Sequence, residues 1–386
     1  MKSIIIAAAL AAFPVGSYAS QLDSLAQAIV LADPAWQARE ASLRASAAAV
    51  KAANTLPGPE AEGEYLWGPA GDNRWGAGVS QSFDWPGVYA ARRAESRAAA
   101  NAFDLLASAE LAERTLAARL TLIDLIAARR RAATVGRIAD NLRRQTELTQ
   151  RALDHGQATI LDLRKLQIAA LEAGTRLEQA EQARAEAIGQ LRAMGLRAEV
   201  PDGLTYPDAT DTDAAVQNWN AMPGVRAAEA EAEAAEARAR VAARSLLPGF
   251  SIGYRHQFEG GNHFNGISFG ISLPSWGSKK ALRAARAEAE AARMQSEAAH
   301  SSHDAVLETL LRSLPGLKAR TEAYRNALDT SDYPVLLEKS LNGGQISILT
   351  YIQELNFFLE AEMARIEAEQ QYQAALASLS RFNTWH

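Results

Sequence analysis

Histidines and carboxylates are the groups through which this chain could do chemistry, since its 386 residues include six histidines and no cysteine. Disulfides, thiolate metal sites, thiol nucleophiles and a lipidated cysteine are therefore excluded. The densest cluster is His300, Ser301, Ser302, His303 and Asp304, an i, i+3 histidine pair beside a carboxylate in a helical stretch. Such a pair suits a divalent metal, but nothing else in the sequence converges on it, and a solvated helix face is the expectation. No Ser-His-Asp set, phosphate loop or metal cluster stands out, so the chain reads as a non-enzyme with no cofactor and no resident metal. The net charge of -5 comes from interleaved signs, which gives no sign of nucleic-acid binding. A second pattern is Glu60, Glu62 and Glu64, carboxylates spaced by two. On a strand they share one face; in a loop ahead of a strand they are simply exposed.

The elements around those glutamates have a period of two. Ala61, Gly63, Tyr65 and Trp67 alternate with Glu60, Glu62, Glu64 and Leu66. After a turn over residues 68–73, Trp75, Ala77, Val79, Gln81 and Phe83 alternate with Gly76, Gly78, Ser80 and Ser82. The same design returns later: Phe250, Ile252, Tyr254, His256 and Phe258 alternate with Ser251, Gly253, Arg255 and Gln257. Beyond the turn-forming Glu259-Gly260-Gly261-Asn262, Ile267, Phe269, Ile271 and Leu273 alternate with Ser268, Gly270 and Ser272. Two hairpins, 60–83 and 250–273, are predicted, each with one greasy face and one small, polar face. Strands of about 9 to 11 residues with this alternation suit a membrane β-barrel, with lipid outside and water inside. Tyr65, Trp67, Val79, Phe83, Phe250, Ile252, Tyr254, Ile267, Phe269 and Ile271 are then expected to face lipid. Glu60, Glu62, Glu64 and Arg255 become candidate lumen residues.

The rest of the chain is written in helix code. Lys2, the apolar run Ile4 to Val15 and Ser17-Tyr18-Ala19 have the parts of a cleavable signal peptide over 1–19. Residues 21–54 read as helix, with Pro34 as a breaker. Val88 to about Ala152 is uninterrupted by proline and, as one helix, extends about 98 Å at roughly 1.5 Å per residue. Leu116, Leu120, Ile123 and Ala127 lie on one of its faces. His155-Gly156 ends it, and a return helix to about Gly195 carries a seam of Leu163, Leu166, Ala170, Ala173 and Leu177. Then the order repeats. Pro34 recurs as Pro223, Leu56-Pro57-Gly58 as Leu247-Pro248-Gly249, Ser82 and Gly87 as Ser272 and Gly277, and Gly156-Gln157 as Gly344-Gln345. A steady spacing of about 190 residues across four kinds of feature marks a duplicated helix, hairpin, long helix, return helix unit. The expected organisation is a first repeat over 20–195, a linker over 196–222 and a second repeat over 223–386. Pro315-Gly316 and Tyr333-Pro334 should kink or break the second long helix.

Two hairpins supply four strands, and an open sheet edge in lipid leaves backbone groups unpaired at several kcal/mol each. The chain must therefore oligomerise, with its helices continuing away from the membrane.

Over nearly all its mature length the sequence resembles the TolC-like outer-membrane factors (outer membrane efflux proteins) of tripartite efflux and type I secretion systems. The resemblance rests on the duplicated order, the Leu-Pro before each hairpin, and Ser82-Phe83 and Ser272-Leu273 leading into Gly87 and Gly277. It rests also on Gly156-Gln157 and Gly344-Gln345 at the helix turns. It implies a mostly α fold with a membrane β-barrel: a homotrimer whose twelve-stranded barrel in the bacterial outer membrane continues into a long α-helical tunnel in the periplasm. It also implies a passive conduit for substrate, fed by a periplasmic adaptor and an inner-membrane pump, for example of the resistance-nodulation-division type. The adaptor would dock on the tip made by Gly156, Gln157, Gly344 and Gln345, which independently read as helix caps. Relatives carry acidic residues just past the tip glycine; here Asp162 holds that place as a candidate constriction, but Thr350 stands at the matching position. The rival reading is a periplasmic coiled-coil scaffold or adaptor without a channel.

Overall fold

The computed structural model describes residues 21–52, 55–68, 73–207, 212–217, 219–274, 277–329 and 333–379. The expected leader over 1–19 lies outside them, as do 53–54 of the first helical stretch, most of the first hairpin turn and parts of the linker. The elements in chain order are α1 (Gln21–Leu31), α2 (Pro34–Ala52), β1 (Glu60–Leu66), β2 (Arg74–Phe83), α3 (Pro86–Asp154), α4 (Ile160–Ala193) and α5 (Thr212–Gln217). After a short 3-10 turn (Trp219–Ala221) come α6 (Pro223–Arg244), β3 (Gly249–Glu259), β4 (Asn262–Ser272), α7 (Ser278–Leu328), α8 (Tyr333–Asn342) and α9 (Ile348–Leu379). The chain is mostly helical, with one four-stranded antiparallel sheet in the order β1-β2-β3-β4. No described helix is long and apolar enough to cross a membrane.

The described residues fall into two compact units. One is drawn from Met1–Asp33, Arg114–Val216 and Leu310–His386; the other from Pro34–Glu113 and Gln217–Thr309. The second unit holds the sheet, and its helices meet through alanine: Ala102 of α3 packs on Ala230 and Ala234 of α6, with Ala98, Ala99 and Leu105 beside them. Side chains of one carbon let helix backbones approach closely, so alanine here sets spacing as well as favouring helix.

In the first unit, Val135, Ile138, Ala139 and Leu142 of α3 share a core with Leu166, Ala169 and Ala173 of α4, Leu337 of α8, and Tyr351, Leu355 and Leu359 of α9. Of the seam anticipated on α4, Leu166 and Ala173 are buried there, and Ala170 and Leu177 pack half-buried beside them. The middle of α3 goes further than the single expected face, because Leu122, Ile123, Leu125, Ile126, Ala127 and Ala128 are all nearly inaccessible. A helix apolar on every side is one packed on every side. The Tyr351 hydroxyl donates to Asn141, whose amide donates to Glu338 at 3.2 Å. Burial pushes the Tyr351 hydroxyl up to about 12, with the Glu338 charge adding to the rise.

Proline behaves differently at three places. Pro34 splits the first helical stretch: α1 ends at Leu31 and Pro34 opens α2, since proline lacks an N–H and its fixed φ suits a first helical position. Pro334 likewise lies in the first turn of α8. The break expected at Pro315 does not occur, because α7 runs through it. Only the bond to the Leu311 carbonyl is lost there, and the adjacent Leu314 is 8% exposed and anchors the helix by packing.

The first unit also buries an ion pair, Arg119 Nε to Asp23 Oδ1 at 2.6 Å, with side chains 5% and 13% exposed. Desolvation lowers the Arg119 pKa and the Asp23 charge opposes that fall. Asp23→Asn would leave a guanidinium buried without its counter-charge, at a cost of about 3 to 5 kcal/mol. The expected outcome is a lowered thermal unfolding midpoint, followed by circular dichroism of the detergent-solubilised protein; an unchanged midpoint would contradict the role given to the pair.

Candidate functional site

Strand register assembles the sheet's two faces. Val79 of β2 pairs with Tyr254 of β3, which pairs with Ile267 of β4; Phe83 pairs with Phe250, and Phe250 with Ile271; Ile252 pairs with Phe269. Tyr65 pairs with Trp75 at the other edge. Directly paired residues point to the same side, so nine of the ten residues expected to face lipid share one face. Trp67 continues their alternation one residue beyond β1. This face is uncovered: Trp67 is 83% exposed, Phe269 79% and Ile271 78%. Burying such a side chain is worth about 1.5 to 3 kcal/mol, so a continuous apolar face of this kind marks a surface made for lipid or another chain.

The other face is polar and crowded. Arg255 Nη2 donates to Glu62 Oε1 at 2.5 Å, reaching across Gly78, which pairs with both residues. A Cβ on Gly78 would stand 3.2 Å from that same Glu62 oxygen. Glu60 and Glu64 flank Glu62 on β1, opposite Ser80 and Gly76. At Gly253 a Cβ would come within 2.8 Å of the Val79 carbonyl, and at Gly270 within 2.4 Å of Ser251 Oγ. On the apolar face, Gly63 would meet nothing within 4 Å. Small residues are a steric requirement at Gly253 and Gly270, whereas Gly266 on the edge strand of the same face has open space around it. The Glu62–Arg255 pair escaped the sequence reading, which placed both as lumen candidates but had no strand register to join them.

The helix turns are built identically in the two repeats. Gly156 (φ 72) and Gly344 (φ 66) adopt left-handed backbone. Gln157 N–H donates to the Ala152 carbonyl at 2.7 Å and Gly156 N–H to Leu153 at 2.9 Å; Gln345 donates to Ser340 at 2.9 Å and Gly344 to Leu341 at 3.0 Å. These are the paired bonds of a Schellman cap. Gly156, Gln157, Gly344 and Gln345 are all exposed. The next helices start alike: Thr159 Oγ1 accepts from the Asp162 amide at 3.2 Å, and Ser347 Oγ accepts from the Thr350 amide at 3.1 Å. The Asp162 carboxylate accepts from the Thr159 hydroxyl at 2.6 Å, with Lys165 at 3.9 Å, so it supports the capping side chain. The correspondence of Asp162 with Thr350 thus has a structural content of its own, the third residue of each helix.

The histidine cluster does not form a site. His303 is buried, stacked on Trp219 at 4.2 Å with its Nε2 3.1 Å from the Trp219 carbonyl, whereas His300 Nε2 lies 2.8 Å from Glu229. The two imidazoles serve different partners, and the expected solvated face is corrected for His303. Burial follows from the aromatic shelf that the short turn before α6 provides.

Comparison with known proteins adds a family match over part of the chain, and a fold. Residues 219–382 match the family model for outer membrane efflux proteins. In structure the chain is similar to a membrane protein from Pseudomonas aeruginosa, with TM-score 0.73, 18% identity, and 94% of this chain and 93% of that one covered. It is similar to the Vibrio cholerae outer membrane protein VceC, with TM-score 0.70, 17% identity, and 93% and 95% covered. It is similar also to the Campylobacter jejuni CmeC outer membrane channel, with TM-score 0.70, 11% identity, and 97% and 90% covered. No match is found among curated proteins. The resemblance to TolC-like outer-membrane factors is carried by the second repeat's sequence and by the fold of almost the whole chain.

The caps lend themselves to substitution because an added Cβ at Gly156 or Gly344 would touch nothing within 4 Å, leaving backbone strain as the sole penalty. Alanine at either position should cost about 1 to 2 kcal/mol, seen as faster amide hydrogen exchange across that turn. Gly58→Ala, equally open but without a positive φ, should leave exchange unchanged. Equal behaviour of all three variants would contradict the cap assignment.

Proposed function

We propose that this chain, which shares its fold and the sequence of its second repeat with the outer membrane efflux proteins, is the outer-membrane channel of a tripartite efflux or type I secretion system. The observation that carries the reading is the sheet: one apolar face left uncovered, one crowded polar face, and two edge strands free to pair. Three copies give a closed barrel of twelve strands, with Glu60, Glu62, Glu64 and Arg255 toward water and the ten apolar residues toward lipid. The helices continue as a periplasmic tunnel through which substrate moves passively, supplied by an adaptor and an inner-membrane pump. A signal peptide over 1–19 directs export, and repeats over 20–195 and 223–386 flank the linker at 196–222. A soluble scaffold or adaptor would have no use for a sheet face on which Phe269 and Ile271 are more than three-quarters exposed.

The adaptor meets the exposed turns around Gly156-Gln157 and Gly344-Gln345, beyond which Asp162 narrows the tip. Two measurements test the reading. Reconstituted in planar bilayers, the protein should conduct, and Glu60→Gln, Glu62→Gln and Glu64→Gln combined should reduce its cation preference, because fixed carboxylates lining a bore favour cations; unchanged selectivity would remove these residues from the lumen. Gln157→Glu with Gln345→Glu keeps both glycine caps while adding charge to the turns. Assembly should persist while export and cross-linking to the adaptor fall; full export by that variant would leave the turns as caps alone.

A further inference from the structure

The β3–β4 hairpin brings together two histidines that the channel reading leaves unused. His256 lies directly across from Asn265, and His263 across from Phe258, so the two imidazoles are diagonal neighbours on the sheet's apolar face, at its end beside the exposed Gly260-Gly261 turn, where water reaches them. His256 Nε2 and His263 Nδ1 are 3.3 Å apart, with the rings 28° from parallel. Two nitrogens bound to one tetrahedral ion at about 2.0–2.1 Å stand about 3.3–3.4 Å apart.

The neighbours fix which nitrogen is available. Asn265 Oδ1 accepts from the Tyr254 hydroxyl at 2.7 Å and lies 2.8 Å from His256 Nδ1. A carbonyl oxygen only accepts, so His256 Nδ1 carries the proton and donates, which leaves Nε2 with its lone pair directed at His263. This is the outer-shell arrangement that orients metal-binding imidazoles, one ring nitrogen donating to an oxygen; the other meets His263 Nδ1 in a hydrogen-bond contact that a bound ion would replace. Trp75, 5.4 Å from His256 between ring centres, backs the ring on its other side. His263 is exposed and supplies the remaining adjustment through its broad χ2 torsion.

We propose that His256 and His263 form a two-nitrogen site for a divalent transition-metal ion, with Asn265 and Tyr254 as positioning residues and water completing the coordination. Imidazole pairs of this kind bind Cu²⁺ more tightly than Ni²⁺ or Zn²⁺. Bound there, the ion ties β3 to β4 at the hairpin end. The site requires only the folded hairpin, so it stands or falls separately from the channel reading.

The test uses the full folded protein in detergent, purified without a histidine tag and washed with chelator, then titrated with Cu²⁺. The expected result is a tight site at one ion per chain whose electron paramagnetic resonance shows nitrogen coupling from two imidazoles. His263→Asn should lower the affinity by at least about tenfold and remove one of the nitrogens. A wild-type spectrum with one nitrogen or none would overturn the proposal, and so would a His263→Asn protein that keeps both the affinity and the two-nitrogen pattern. Should that variant fail to fold, the wild-type spectrum decides by itself.

Discussion

Hydrogen bonding at the edges of the four-stranded sheet is the constraint on which the rest depends. Among the described residues β1 and β4 each pair on one side only, and all four strands carry large apolar side chains to one face, with Leu66 and Phe264 the exceptions on the other. In water such a sheet would expose both open edges and a hydrophobic surface, a combination that soluble proteins avoid. In hydrocarbon the face is satisfied, but each unpaired backbone group costs several kcal/mol. In the proposed barrel, pairing between copies would resolve both demands together. Such a closure would place its own demand on the polar side, where Gly253 and Gly270 have no room for a Cβ.

The helical parts of the two units pack in different ways. Alanine permits close approach in the unit containing the sheet, while larger apolar residues from α3, α4, α8 and α9 build the core of the other. Charges enter this second core in groups: Arg119 with Asp23, and the buried Glu369 among Arg130, Arg325 and Arg365. A buried charge is tolerable when paired, and breaking such a pair costs more than making it gains. These pairs therefore specify which helices meet. At the turns, the two repeats reproduce one Schellman cap and one side-chain cap each, so the duplication visible in the sequence reaches individual hydrogen bonds.

Local chemistry made much of this legible in advance. Alternation of period two exposed all four strands, and the repeated Gly-Gln marked both turns, because each depends on residues near one another in sequence. Contacts set by register or by tertiary packing did not show. Glu62 and Arg255 are 193 residues apart and meet only because β2 lies between their strands with Gly78 at the crossing point. His303 seemed a surface residue until Trp219 supplied a stack for it. Pro315 resembled a breaker by local preference, and packing beside it kept α7 continuous.

The central claim, that β1 of one copy pairs with β4 of the next, can be tested directly because the chain has no cysteine of its own. Gly63→Cys would be combined in turn with cysteine at Asn265, Ile267, Phe269 or Ile271, all on the same sheet face, and the folded protein oxidised in membranes. Within one chain β1 and β4 are separated by two strands, about 14 Å at roughly 4.8 Å per step, beyond the reach of a disulfide. Any bond formed must therefore join different copies. The account requires one combination to yield covalent dimers and trimers that reduction dissolves. Folded protein that remains monomeric on denaturing gels in every combination would contradict it.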